Sequence, residues 1–371
     1  MERLNSLART LTVLSGGIPD RVPVSMLDFM VCARAIGMPL SDFCQNGEAM
    51  AEGALASWRE YGHDMVLVES GTAALAEACG CTVEYLADSA PVVVGPAIET
   101  LDDVDRLRAP DPYSAHPLRE NLKATRILSR EIGDRVAIMG RADQGPFSLA
   151  SMLLGMENFL LLLAQCPIGP SGDFLTAEGR EIGARLHRLL AFTLEVCSRF
   201  AAAQIEQGAH ITSIGESIAG PDVCSPRVYR EFEWPYAKAL ASRLRQSDDL
   251  LAYHICGNAT VIVPDMVATG AALLELDYKV DLLRVKEVTL GRTAILGPID
   301  PSAVMALGTP LLVATKCQEA IGILAPRGGF ILGPGCALPP TTPRDNIHAL
   351  VETAKKYGTY DHAGEVINTL P

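Results

Sequence analysis

Short apolar runs of strand length recur along this chain, and a longer segment with helical spacing of its apolar positions follows most of them. The runs cover residues 22–27, 65–69, 135–140, 209–214, 250–255, 272–276, 294–297 and 329–333. Most are bounded by Gly, Pro or Asp, as strands that end in tight turns should be. Helical patterns cover 49–61, 118–132, 184–207, 226–246, 260–270, 301–308 and 310–324, and a closing helix covers 343–357. Several of them open on Pro, which is tolerated at a first helical position because its missing N–H would be unpaired there anyway.

Eight strands alternating with helices predict a (β/α)8 TIM barrel. A barrel takes roughly 250 residues, so about 120 of the 371 are left over. They are assigned to an N-terminal helical cap (1–21), to excursions at 69–106 and 144–176, and to a tail (358–371), with the barrel at 22–357, all in one domain. The first excursion contains extended pieces at 82–86 and 92–94, which predict a small hairpin over one end. A doubly wound open sheet would also accommodate this alternation.

With 49% hydrophobic and 20% charged residues, the chain has ample material for a large core. Its net charge of -13 and the lack of any basic run argue against a nucleic-acid partner, since phosphate affinity comes from clustered Lys and Arg. The N-terminus mixes both charge signs within an apolar helical pattern, unlike a secretory signal. No apolar stretch approaches the roughly 20 residues that span a bilayer. The expectation is a cytoplasmic protein with no membrane contact. Ten scattered cysteines in a chain this size are expected as reduced thiols. Cys32, Cys166, Cys197 and Cys317 sit in apolar surroundings as small hydrophobes.

Cys256 and Cys336 stand apart. His254 and Cys256, at the end of the fifth run, are two residues apart and so face one side of an extended chain. Cys336 follows the eighth run in Gly333-Pro334-Gly335-Cys336. In a barrel both motifs leave at the C-terminal rim, where active sites form. One imidazole and two thiolates suit zinc and leave a fourth position for a substrate. Acidic and basic groups converge on the same rim: Glu275 and Asp277 after the sixth strand, Asp300 after the seventh, Glu216 after the fourth, Arg141 and Asp143 after the third. Glu275 is the candidate exchangeable fourth ligand, and Asp277, Glu216 and Arg141 are candidates for orienting substrate. Asn258 is expected to support the site by hydrogen bonding rather than to bind metal. His210 reads as a satisfied core residue.

The chain resembles the uroporphyrinogen decarboxylase superfamily, and within it the zinc-dependent cobamide methyltransferases. The matching pieces are PDRVPV (19–24), SPRVYREFEWPY (225–236), YHICGN (253–258), LLELDYKVDL (273–282), ILGPIDP (295–301) and GGFILGPGCALPPTTPRDNI (328–347). The resemblance implies a TIM-barrel enzyme that moves a methyl group between a corrinoid and a thiol or similar acceptor, with His254, Cys256 and Cys336 at the family's zinc-ligand positions. No D-x-H-x-x-G cobalamin-binding signature occurs in this chain, so the corrinoid is expected on a partner protein. The decarboxylase branch holds a multi-carboxylate tetrapyrrole with an Arg-rich stretch after the first strand. Here residues 24–34 contain one Arg, Arg34, which disfavours that activity. Transfer in the reverse direction, from a methylated substrate onto the corrinoid protein, fits the same ligand set. A non-catalytic zinc scaffold fits it too, and the sequence is compatible with a homo-oligomer.

Overall fold

The structure, a computed structural model, describes residues 4–367. Seven parallel strands form one sheet in the order β1 (Met65–Val68), β4 (Ala137–Gln144), β5 (Ile211–Glu216), β6 (Leu251–Ile255), β7 (Leu273–Leu276), β8 (Ala294–Ile299), β9 (Phe330–Pro334). The remaining two, β2 (Thr82–Glu84) and β3 (Val92–Gly95), form the expected antiparallel hairpin.

The first predicted strand departs from expectation. Residues 22–27 form no strand; Val24 and Ser25 make single parallel bridges to Leu332 of β9 and Met65 of β1. Ser25 N donates to Leu332 O (3.0 Å), Leu332 N to Pro23 O (2.9 Å) and Asp64 N to Val24 O (2.7 Å). This segment therefore occupies the eighth barrel position between the two edge strands. Pro23 has no N–H to give, so a regular ladder cannot form through it. The buried carboxylate of Asp64 completes the seam: it accepts from Val24 N (2.9 Å) and pairs with Arg9 (2.7 Å) and Arg21 (2.8 Å). Arg9 lies on the N-terminal helix Ser6–Leu14, whose Val13 and Leu14 plug the barrel from below.

The period of two along each strand sorts the interior into layers. Met65 and Leu67 of β1, Ala137 and Met139 of β4, Ala252 of β6 and Leu273 of β7 share one apolar interior cluster. Two residues further along the same faces come Glu69, Arg141, His254 and Glu275. The apolar floor thus gives way to a charged layer at the C-terminal end of the strands. β4 runs four residues beyond the end that the pattern predicts, which carries Arg141 and Asp143 into the strand. A register shift against β5 falls between Arg141 and Gln144, and Asp143 there adopts φ 65°.

The excursion after β4 folds as helices Pro146–Leu154 and Met156–Ala164, meeting at 109°, and no single described helix is long and apolar enough to cross a membrane. The helical segment at 226–246 is broken by a π turn at Tyr229–Glu233 ahead of helix Trp234–Arg245. Pro235 has no N–H to continue the ladder, and it lies where the break falls.

Candidate metal centre

β6 and β9 deliver the three sequence-predicted ligands to one point. A ring nitrogen of His254 and the sulfurs of Cys256 and Cys336 all lie within 4.8 Å of one another. His254 Nε2 is 3.2 Å from Cys256 Sγ, and its Nδ1 is 3.1 Å from the backbone carbonyl of Glu275 on the paired strand. A carbonyl can only accept, so Nδ1 carries the proton and Nε2 is left as the free donor to a metal. A tetrahedral zinc ion would separate N and S ligands by about 3.5 Å, so the His–Cys spacing fits with a small adjustment. Among ten cysteines, eight are buried, while Cys256 and Cys336 are half-buried at the mouth.

Two glycines let the ligand loops close. Gly257 has φ 82°, and a Cβ there would lie 2.3 Å from the Asp222 carboxylate. Its N–H donates to Asp277 Oδ2 at 2.7 Å, fixing the turn that follows Cys256. A Cβ on Gly335 would meet the backbone of Asp277 and Tyr278 at 2.8–3.1 Å, so only Gly lets the Cys336 loop approach the end of β7.

The electrostatics favour an anionic sulfur. The hydrogen bond from the Cys256 thiol, and then His254, hold Cys336 well below the ordinary thiol range against the cost of burial. The same shared hydrogen bond, with burial, pushes Cys256 up. Of the two thiols, Cys256 thus keeps its proton and Cys336 is the one favoured as thiolate; a bound cation would displace that proton.

The acidic and basic residues of the rim separate into two groups. Arg141 Nη2 pairs with Glu275 Oε2 at 2.7 Å, and its Nε faces Glu69 at 4.0 Å, all three buried. Oε1 of Glu275 is buried with no hydrogen-bond partner, and no carboxylate oxygen lies within 4.8 Å of all three ligand atoms among the described residues. Glu275, the expected exchangeable fourth ligand, is therefore not among the groups gathered at this point and is held by Arg141 instead. Burial raises Glu69 to about 7, with Arg141 opposing. Asp277 stands behind the Cys256 turn with Oδ1 unpartnered.

Glu216 belongs to the other group and corrects the sequence reading. Its oxygens accept from the backbone N–H groups of Phe147 (3.0 Å) and Ser148 (2.7 Å), so it caps helix Pro146–Leu154 instead of facing the ligands. Asp300 likewise accepts from Ser302 and Ala303 at the start of its own helix. Asp143 accepts from Leu75 N at 2.6 Å, tying β4 to the helix Ala74–Ala78. Asn258 accepts from Thr260 N and Oγ1, which holds the loop after Cys256 without touching the ligands. His210 Nδ1 accepts from Ile138 N at 3.0 Å, so its ring is satisfied as expected, but the residue is half-buried and precedes β5 instead of sitting in the core. Glu69 is a member of the charged layer that the motifs do not mark; its place two residues beyond Leu67 on an inward face is the one signal the sequence carries for it.

Residues 5–357 match the family model for uroporphyrinogen decarboxylase. The chain is 29% identical over 315 residues to the methylcobamide:CoM methyltransferase MtbA of Methanosarcina acetivorans, covering 84% of this chain and 85% of that protein. It is 26% identical over 369 residues to the uroporphyrinogen decarboxylase of Crocosphaera subtropica, covering 96% and 98%. A solved methyltransferase from Methanosarcina mazei superimposes with a TM-score of 0.82 at 26% identity, covering 95% of this chain and 99% of that one.

Proposed function

The chain belongs to the uroporphyrinogen decarboxylase family, and we propose that it is a zinc-dependent methyltransferase of that family, moving a methyl group between a corrinoid on a partner protein and a small thiol. The observation that carries the reading is the convergence of His254 Nε2, Cys256 Sγ and Cys336 Sγ within 4.8 Å at the barrel mouth. Three protein donors leave one position of a tetrahedral site for a substrate sulfur. Zinc, when bound, would supply the positive charge that keeps an acceptor thiol deprotonated at neutral pH.

The chain's own residues do the rest. Glu275 O fixes the His254 ring, Asp277 fixes the Cys256 turn, and Arg141 holds the Glu275 side chain against the interior wall. Two thiolates already balance a divalent cation, so a third sulfur arriving there stays electron-rich and nucleophilic toward an electrophilic methyl. That methyl must come from above, because the floor is closed by apolar side chains and the N-terminal helix. Tyr278, Leu283, Leu307 and Leu311, in the loops and helix starts after β7 and β8, are exposed on that side and suit a protein partner carrying a corrin ring. Decarboxylation is disfavoured by Arg34. Its Nη1 donates to the carbonyls of Pro340 and Thr342, so the one Arg of that stretch is committed to the chain's own backbone.

The test is metal analysis of the purified protein beside His254→Ala and Cys336→Ser. About one zinc per chain is expected, lost in both variants, with the barrel still folded because a core of this size does not depend on the metal. Full zinc in both variants overturns the assignment.

A further inference from the structure

The cysteines of the chain fall into two populations that an oxidant would treat differently. Eight are buried, and burial holds every one of those thiols above its ordinary range, Cys44 and Cys79 at about 12. A thiol is oxidised through its thiolate and only where the oxidant can reach it, so these eight are protected. Cys256 and Cys336 are half-buried at the mouth, and their sulfurs lie no more than 4.8 Å apart.

The fold brings this pair together from separate strands. In the sheet, β7 and β8 stand between β6 and β9. The Cys336 loop crosses toward β6 because Gly335 packs directly on the backbone of Asp277 and Tyr278, just beyond β7. A disulfide needs its sulfurs about 2 Å apart. The remaining gap is closed by loops rather than strands, since β6 ends at Ile255 and β9 at Pro334, each ahead of its cysteine. The competing pair, Cys79 and Cys81, is buried at both members, and Cys81 Sγ already donates to Met152 O at 3.5 Å.

We infer that Cys256 and Cys336 are a reversible redox pair, which a peroxide closes to a disulfide with release of the metal. The inference rests on the reading of the site as a metal centre and is independent of methyl transfer. The two thiolates give up two electrons and the S–S bond forms; the peroxide O–O bond breaks and, with two protons taken up, leaves as two waters. A disulfide sulfur carries no charge and is a poor zinc ligand, and His254 alone does not retain the ion. Reduction runs by exchange: one small thiol attacks the S–S bond to give a mixed disulfide, and a second frees the remaining sulfur and leaves as the small disulfide.

The test treats the zinc-loaded protein with equimolar hydrogen peroxide, follows zinc release with a chromogenic chelator, and maps the unreduced chain by digestion and mass spectrometry. About one zinc per chain should be released as a peptide cross-link joining Cys256 to Cys336 appears. Dithiothreitol followed by added zinc should remove the cross-link and restore the metal content. Zinc retained with both thiols free, zinc released with either residue as a sulfinic acid, or a bond between Cys79 and Cys81 instead overturns the inference and leaves the metal centre standing. Protein that holds no zinc before peroxide is added overturns both.

Discussion

Arg141 Nη2 lies 2.7 Å from Glu275 Oε2, a buried ion pair that joins β4 to β7 across the barrel interior. The backbone carbonyl of the same Glu275 orients His254, so one residue ties the metal ligand to the charged layer. Arg141→Met would leave Glu275 and Glu69 without their cation, at a cost of about 3–5 kcal/mol. Adding Glu275→Gln should recover part of that loss. Urea denaturation of the two single variants and the double variant checks this, and strictly additive losses would show that the pair is not coupled.

A second pair of acids predicts a pH dependence. Glu233 is 1% exposed and faces the hydroxyls of Tyr229 and Tyr253, with neither carboxylate oxygen in a hydrogen bond of good geometry. Burial, and then the charge of Glu216, push it well above the ordinary carboxylate range, while burial lifts Glu216 to about 7. An acid whose pKa is raised on folding contributes its full stability below the unfolded value, about 4.5, and loses it as pH rises through the folded one. The pair should therefore destabilise the fold progressively between about pH 5 and pH 8. Glu233→Gln should be more stable than the unmodified chain by about 1–3 kcal/mol at pH 8, with the difference shrinking toward pH 5. Thermal melts at the two pH values decide it, and a variant less stable at pH 8 contradicts the account.

Glu216→Ala should cost about 1–2 kcal/mol, the range of a lost helix cap, and keep its zinc. Loss of metal in that variant would place Glu216 closer to the ligands than its bonds to Phe147 and Ser148 put it.

Asn258→Ala should also retain zinc, because its side chain holds Thr260 rather than the metal. Activity should fall by about 10–100-fold, as for other changes just outside a metal site, because the loop after Cys256 loses its internal tie. Metal analysis and turnover measured on one preparation separate the two effects.

The layout of barrel and ligands is legible in the sequence because it follows simple periods. Seven of the eight apolar runs form parallel strands, and H-x-C on one of them faces Cys336 at the same rim. The remaining run, 22–27, has the composition of a strand, but Pro23 limits it to two bridges. The roles of the acids are harder to read. The rim where active sites form is also where the following helices begin, and their free N–H groups need acceptors. Glu216 and Asp300 serve those helices, whereas Glu275 serves the interior, and all three look alike from strand ends alone. Glu233 gives no signal, since it falls within a helical pattern and only the π turn and its neighbours bury it.

The central claim is methyl transfer at the His254, Cys256 and Cys336 site. It is tested most directly by anaerobic incubation of the zinc-loaded protein with methylcobalamin and a small thiol, following cobalt by its visible absorption. The account predicts conversion of methylcobalamin to the demethylated cobalt form with methylation of the thiol, and loss of both in Cys336→Ser. Unchanged methylcobalamin with the intact protein across cationic, neutral and anionic thiols, or equal conversion by Cys336→Ser, would contradict it.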